Sequence, residues 1–258
     1  MKISLRRQAI RDEWFDGAVS ANAGLLLRRG LKDYDEGRTS GDKAKGGSAK
    51  QKLIERLAGI APSGGYELAF ERWRNATTDP ARFTRFSASL IGRLYIGLSR
   101  ESALETGITV QHAWGMPMIP GSALKGVARA VARERLADKP DLVNWLFGAD
   151  NHSEAAPETG ALVFHDAWWV PEGKPFAGEI VTPHHVEYYK GGGAPATDFD
   201  SPVPSPQIAA QGAFYFVIEG DENWRRVAEQ LLRIALEERG VGGKRSSGYG
   251  FFSVERCS

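Results

Sequence analysis

Cysteine is nearly missing from this chain: Cys257 is the only one among 258 residues. No disulfide can therefore form within the chain, and no cysteine cluster can hold zinc, which excludes redox-relay and zinc-finger chemistry. Long apolar runs are missing as well. Nothing approaches the roughly 20 residues that a membrane-spanning helix requires, and the first residues lack the basic, apolar and small-residue succession of a secretory signal. The expectation is a cytoplasmic chain with no membrane partner. Nor is there an excess of either charge, with 33 Lys plus Arg against 32 Asp plus Glu. Any surface for a polyanion must come from local clustering of cations.

What is present is the composition of a globular protein. Hydrophobic residues make up 42% and charged residues 25%, enough to bury a sizeable core in one or two domains. The cations do cluster, at Arg28 and Arg29, at Lys43 and Lys45, along Lys125, Arg129 and Arg133, and at Lys244 and Arg245.

Residues 1 to about 80 carry no strong strand pattern. Helix-compatible stretches, Ser20 to Arg29, Lys50 to Leu57 and Tyr66 to Arg74, flank the Gly-, Ser- and Lys-rich KDYDEGRTSGDKAKGGSAK, which reads as a helical extension with a mobile loop. Phe70 and Trp73, one helical turn apart, mark a buried face. From Phe83 to Leu98 the pattern has period two. Phe86, Ala88, Leu90, Leu94 and Ile96 fall on one side, and Arg85, Ser87, Ser89, Arg93 and Tyr95 on the other, as in a half-buried strand. A hairpin follows through Ile108 to Ile119. At Ser122 a helix begins, the serine placed to cap it, with Leu124, Val127, Ala128 and Val131 inside and the cations outside. A short helix spans Leu142 to Phe147. Ala161 to Val170 and Phe214 to Glu219 read as strands, Glu222 to Arg239 as a helix capped by Asp221 and stopped by Gly240, and Gly248 to Val254 as a last strand. This order predicts an α+β fold with a ferredoxin-like (RRM-like) sheet over residues 81–258, helices on one face, and an insertion over about 178–210.

Three stretches carry chemistry. In IPGSALKGVARAVAR, Ile119 to Arg133, a glycine and a capping serine leave backbone amides and the positive end of a helix dipole at one point, where a phosphate would be stabilised. Lys125 stands one turn in. The plain alternative is an amphipathic helix with a solvated basic face. In GVGGKRSSGYG, Gly240 to Gly250, five glycines in eleven residues free the backbone to approach a polyanion, with Lys244 and Arg245 for charge and Ser246 and Ser247 as donors. A flexible connector between helix and strand is the alternative there. The spacing is not that of a Walker A loop. The third stretch, TPHHVEYYKGGGAPATDFDSPVPSP from Thr182 to Pro206, offers His184, His185, Glu187, Asp198 and Asp200, but prolines, glycines and the lack of helical ligand spacing argue against a metal or acid–base site. An interaction loop bearing His184, His185, Tyr188 and Tyr189 is the expectation. His112 and His165 read as hydrogen-bonded structural residues. No catalytic residue, metal or cofactor is expected.

Together, IPGSALKG, TPHHVEYY with TDFDSPVPSP, and GVGGKRSSGYG resemble the RAMP superfamily, over about residues 83 to 254. Their order and spacing look like the sixth-subunit family of the type III-B CRISPR (Cmr) effector complexes. The resemblance implies a ferredoxin-like core with a thumb-like insertion, and no cleavage. As partners it implies CRISPR RNA near its 3′ end, target RNA, and other Cmr subunits, namely the filament backbone, the small subunits and the end-capping RAMP subunit. Carried onto this chain, the RNA contacts would be Gly121, Ser122 and Lys125, faced by Gly242, Gly243, Lys244, Arg245, Ser246 and Ser247. The rival implication is a metal-independent endoribonuclease like the repeat-processing members of the superfamily, using His184 and His185.

Overall fold

Phe83–Leu90 (β3) alternates buried Phe86 and Ala88 with exposed Arg85 and Ser87, the pattern of a strand with one face in the core. It lies inside a sheet of antiparallel strands whose path runs β10, β3, β9, β6, β4, with Phe252–Ser253 (β10), Ala213–Glu219 (β9), Ala167–Trp169 (β6) and Met118–Ile119 (β4); Val163–Phe164 (β5) also pairs with β9. The computed structural model describes residues 2–4, 21–31, 33–35, 49–98, 106–149, 159–182 and 204–254.

Two helices cover the face that carries Phe86, Ala88, Phe214, Phe216 and Phe252. They are Gly121–Arg135 (α4) and Glu222–Ile234 (α6), the latter continued by a π-helical turn over Ala235–Arg239. Both follow a 3.6-residue apolar period, so each presents one stripe to the sheet. Asp221 caps α6 by accepting the Asn223 amide at 3.1 Å, and Gly240, at φ 67°, ends the π turn as expected. Arg225 on α6 is fully buried and donates to the carbonyls of Pro80 and Ala81 at 3.0 Å and to Thr84 Oγ1 at 3.4 Å. It ties the beginning of α6 to the turn entering β3. Pro140–Phe147 (α5) folds back along α4 and closes at Gly148, φ 82°.

The opposite face is covered over β6 and β9 by Gly64–Ala76 (α3), capped by Ser63. Tyr66, Phe70 and Trp73 pack on Trp168 and Tyr215 with ring centroids 5.8 to 6.1 Å apart. The buried face anticipated for Phe70 is this one. Ala23–Arg29 (α1) and Ala49–Ala58 (α2) also join the main core through Ala23, Leu26, Leu53 and Leu57. Lys2–Ser4 (β1) pairs antiparallel with Asp33–Asp35 (β2), a pairing the sequence pattern did not reveal.

Phe176–Val181 (β7) and Ser205–Ala210 (β8) form a separate antiparallel ladder. Helix α2 packs on it, with Lys50 Nζ 3.1 Å from Ser205 Oγ. Residues 183–203 between the strands lie outside the described residues, and with them His184, His185, Tyr188 and Tyr189.

Two expectations need correction. β3 stops at Leu90 rather than Leu98, because the chain beyond it changes partners: Leu94 bridges Ala210 and Tyr95 bridges Gly243. Tyr95 is consequently buried, not solvent-facing. The last strand is confined to Phe252–Ser253, since Gly248 and Gly250 sit at φ 87° and 80°, a region that strand residues do not adopt.

Candidate nucleic-acid interface

The glycine loop follows the π turn and is bound to its own chain. Val241 donates to the Gly250 carbonyl at 2.9 Å, Gly243 to Tyr95 at 2.7 Å and Gly250 to Arg93 at 2.8 Å. A Cβ on Gly242 would stand 2.2 Å from the Tyr95 oxygen, and one on Gly250 2.0 Å from the Val241 oxygen. Here the backbone leaves no room for a side chain. These glycines therefore serve close packing within the chain, and their freedom is not what meets a ligand.

The exposed part is the turn they support. Lys244, Arg245, Ser246 and Ser247 are all exposed, the last three in a single 3₁₀ turn. Lys244 is the one non-glycine residue at positive φ among the described residues, at 56°. That conformation costs roughly 1–2 kcal/mol outside glycine, and such strain tends to persist at functional positions. Its Nζ lies 5.7 Å from the Tyr95 ring centroid. No ion pair joins Lys244 or Arg245 to a carboxylate among the described residues. The result is an uncompensated cationic turn with two hydroxyls beside it, suited to a phosphate backbone.

Under the turn, Tyr95 and Tyr249 pack with ring centroids 4.6 Å apart. Glu179, on β7, accepts from Arg93 Nε at 3.2 Å and Tyr249 Oη at 3.5 Å. Burial, reinforced by Tyr249 and Glu179, pushes the Tyr95 phenol well above its ordinary pKa. This tyrosine is a neutral prop.

The start of α4 is built differently from expectation. The helix begins at Gly121, with Pro120 at the capping position and no side-chain cap from Ser122. Asp166 takes that role from across the chain, accepting the Gly121 amide at 2.7 Å. Gly121 is buried so closely that a Cβ would stand 2.0 Å from the Phe164 oxygen. Ser122 is exposed and Lys125 half-buried.

The two segments do not fold side by side. β4, which leads into α4, is one edge of the sheet, and β10, which follows the loop, is the other. Along the strands, Gly121 sits level with Phe164, opposite Ile218 and so with the start of β3, whereas the loop meets the chain beyond the end of β3. Helices α4 and α6 run in the same direction. The C-terminal end of α4 meets the π turn through Arg135–Glu238, at 3.4 Å, and Arg239–Glu134. The loop therefore begins near the far end of α4, whose fifteen residues span about 22 Å. A single cradle formed from both segments is not what the fold builds.

Elsewhere, His165 Nε2 lies 2.9 Å from Glu219 Oε2, and Arg82 Nε 2.7 Å from Glu219 Oε1. Arg82 first, then His165, hold the Glu219 carboxyl below its ordinary range. Trp73 stands edge-on to the His165 ring at 5.3 Å. Among the described residues no group of three or more His, Cys, Asp or Glu side chains is placed to hold a metal. No helix among them is long and apolar enough to cross a membrane.

Comparison with known proteins agrees with the sequence resemblance. The chain is 26% identical over 290 residues to the CRISPR system Cmr subunit Cmr6 of Pyrococcus furiosus, covering 88% of this chain and 82% of that one. It is 24% identical over 170 residues to the corresponding Cmr6 of Saccharolobus solfataricus, covering 64% of this chain and 55% of the relative. Its fold is similar to that of a chain in the type III-B Cmr-beta complex bound to cognate target RNA, with a TM-score of 0.65 at 20% identity over 80% of this chain and 71% of that one. The RAMP superfamily model matches residues 87–253, so the chain belongs to the RAMP superfamily.

Proposed function

We propose that this chain is a non-catalytic subunit of a type III-B CRISPR effector complex, a counterpart of Cmr6 that grips the CRISPR RNA backbone toward its 3′ end. There it caps or extends a filament of related subunits engaged with target RNA. The homology to two Cmr6 proteins supports the complex. The observation that carries the RNA contact is the exposed turn Lys244–Ser247, whose two cations no carboxylate neutralises among the described residues. The spatial order β10, β3, β9, β6 supports a ferredoxin-like core, being the fourth, first, third and second strands of a strand–helix–strand–strand–helix–strand succession.

In this reading the turn meets phosphates and reads no bases. Gly242 and Gly243 shape it, Lys244 and Arg245 neutralise charge, and Ser246 and Ser247 donate. Ser122 and Lys125 form a second contact about 22 Å away, with Gly121 setting the start of their helix and making no contact itself, so one extended strand meets both corners in succession. The insertion on the β7–β8 stem, with His184, His185, Tyr188 and Tyr189, faces a neighbouring subunit of the filament, its small subunits or its end cap.

The test is retention of guide RNA by the assembled complex carrying Lys244→Ala with Arg245→Ala. Loss of affinity, with a salt slope shallower by about 0.7 for each lost phosphate contact on a single strand, is the expected result. Unchanged retention at moderate salt would remove the basis of the reading. So would specific cutting of repeat RNA that His184→Ala abolishes.

A further inference from the structure

Arg93, Leu94 and Tyr95 form a three-residue segment with a different partner on each edge. On one edge the Leu94 amide and carbonyl pair with those of Ala210, the last residue of β8, both at 2.9 Å. On the other the glycine loop is fastened, Gly243 donating to the Tyr95 carbonyl at 2.7 Å and Gly250 to the Arg93 carbonyl at 2.8 Å. The β7–β8 ladder and the loop thus share one stretch of backbone.

A side chain makes the same connection. Glu179 on β7, only 24% exposed, accepts from Arg93 Nε at 3.2 Å and at longer range from Tyr249 Oη at 3.5 Å. Tyr249 closes the cationic turn from behind: its amide donates to the Lys244 carbonyl at 3.4 Å, and its ring packs on Tyr95, 4.6 Å away between centroids. Lys244 Nζ in turn stands 5.7 Å from the Tyr95 ring centroid. A non-glycine residue at a φ of 56° holds that conformation only where its surroundings impose it, and these contacts are what surround it. The carboxylate has no electrostatic reason to be there. Beneath a turn that meets phosphates, a negative charge opposes binding, so its presence calls for a structural role.

We infer that Glu179 is a positioning residue for the guide RNA contact: from β7 it fixes Arg93 and Tyr249, and through Tyr95 it holds Lys244 to Ser247 in the shape that meets the RNA backbone. The inference rests on the RNA-holding reading above. Glu179 touches no RNA in this account and acts only through the turn. Two simpler roles compete with it. As a charge alone, Glu179 would merely temper the attraction of the turn for phosphates; as an anchor alone, it would support β7 with no link to the guide.

The experiment uses the full-length chain assembled with its complex and a labelled guide RNA, measured by filter binding across a salt series. If charge alone mattered, Glu179→Gln, which removes a carboxylate and frees Arg93, would tighten retention and steepen the salt slope. Positioning predicts the opposite sign, retention weaker by about fivefold without the steeper slope. Tyr249→Phe, which keeps the ring against Tyr95 and removes only the hydroxyl, should weaken retention by a smaller factor. Glu172→Gln, an equal loss of charge at an exposed position outside this network, should leave retention as in the parent. On the Lys244→Ala, Arg245→Ala background, Glu179→Gln should add nothing further, because residues acting through one another are not additive. An equal loss on both backgrounds makes Glu179 a general support of the fold and overturns the inference, as does unchanged or tighter retention in Glu179→Gln. Should Glu179→Gln fail to assemble, Tyr249→Phe on the same two backgrounds decides by the same criteria. If the Lys244→Ala, Arg245→Ala pair itself leaves retention unchanged, the RNA-holding reading falls and takes this inference with it; weakening by the pair but not by Glu179→Gln removes the inference alone.

Discussion

The start of α4 and the glycine loop are written with the same residues, glycine next to serine and lysine, yet the fold uses them in opposite ways. At the start of α4 the glycine is buried, its amide taken by Asp166 and its missing side chain filled by the Phe164 carbonyl. In the loop the glycines hug Tyr95 and Val241 so that Lys244 to Ser247 stand clear of the surface. Glycine content alone therefore says little about ligand access. What discriminates is whether the space where Cβ would lie is occupied by the protein itself.

Substitutions that fill these spaces should break the comparison in graded steps. The largest effect is expected for Gly250→Ala. Its φ of 80° and the Val241 oxygen 2.0 Å from the added carbon predict a loss of about 3 kcal/mol or more by chemical denaturation, together with lost guide retention. Gly248→Ala has a similar φ, 87°, but open space, so about 1 kcal/mol is expected; an equal loss at both positions would show that contact plays no part. Next comes Arg225→Met. It keeps much of the buried volume but leaves the Pro80 and Ala81 carbonyls without their donor, at a cost of about 2–3 kcal/mol, read as a lower denaturation midpoint. At the start of α4, Asp166→Ala should cost about 1 kcal/mol, as loss of a helix cap does, whereas Ser122→Ala should cost almost nothing because Ser122 caps nothing. The reverse ranking would restore the serine cap.

The smallest predicted effect is one of pH. Arg82 and His165 lower the Glu219 pKa in the folded chain. The associated stabilisation is fully present above the ordinary glutamate value of about 4.3 and disappears as pH falls through the depressed folded value. Glu219→Gln should flatten the acid limb of a stability–pH curve and leave the neutral region with little slope. A steep acid limb that survives the substitution would assign it to other carboxylates.

Much of this architecture was legible in the sequence where a single period ran without interruption. α4 and α6 show a clean helical stripe, and Phe86 and Ala88 a clean alternation, because each element buries one face against one neighbour. The reading failed where the partner was distant in sequence. Asp166 caps a helix that begins 45 residues earlier, so the nearby Ser122 looked like the cap. Tyr95 keeps the alternation of β3 but pairs with Gly243, which turns an apparently exposed residue into a buried one. The relative placement of the two glycine segments was illegible for the same reason. β4 follows β3 in sequence but lies at the edge of the sheet away from β10, and no local pattern records that placement.

The most direct measurement is photocross-linking of a 4-thiouridine-substituted guide RNA in the assembled complex, with the attached peptides of this chain mapped by mass spectrometry. The account predicts adducts within residues 240–250 and at the start of α4. Adducts that avoid both segments and gather on the α3 face of the sheet would contradict it.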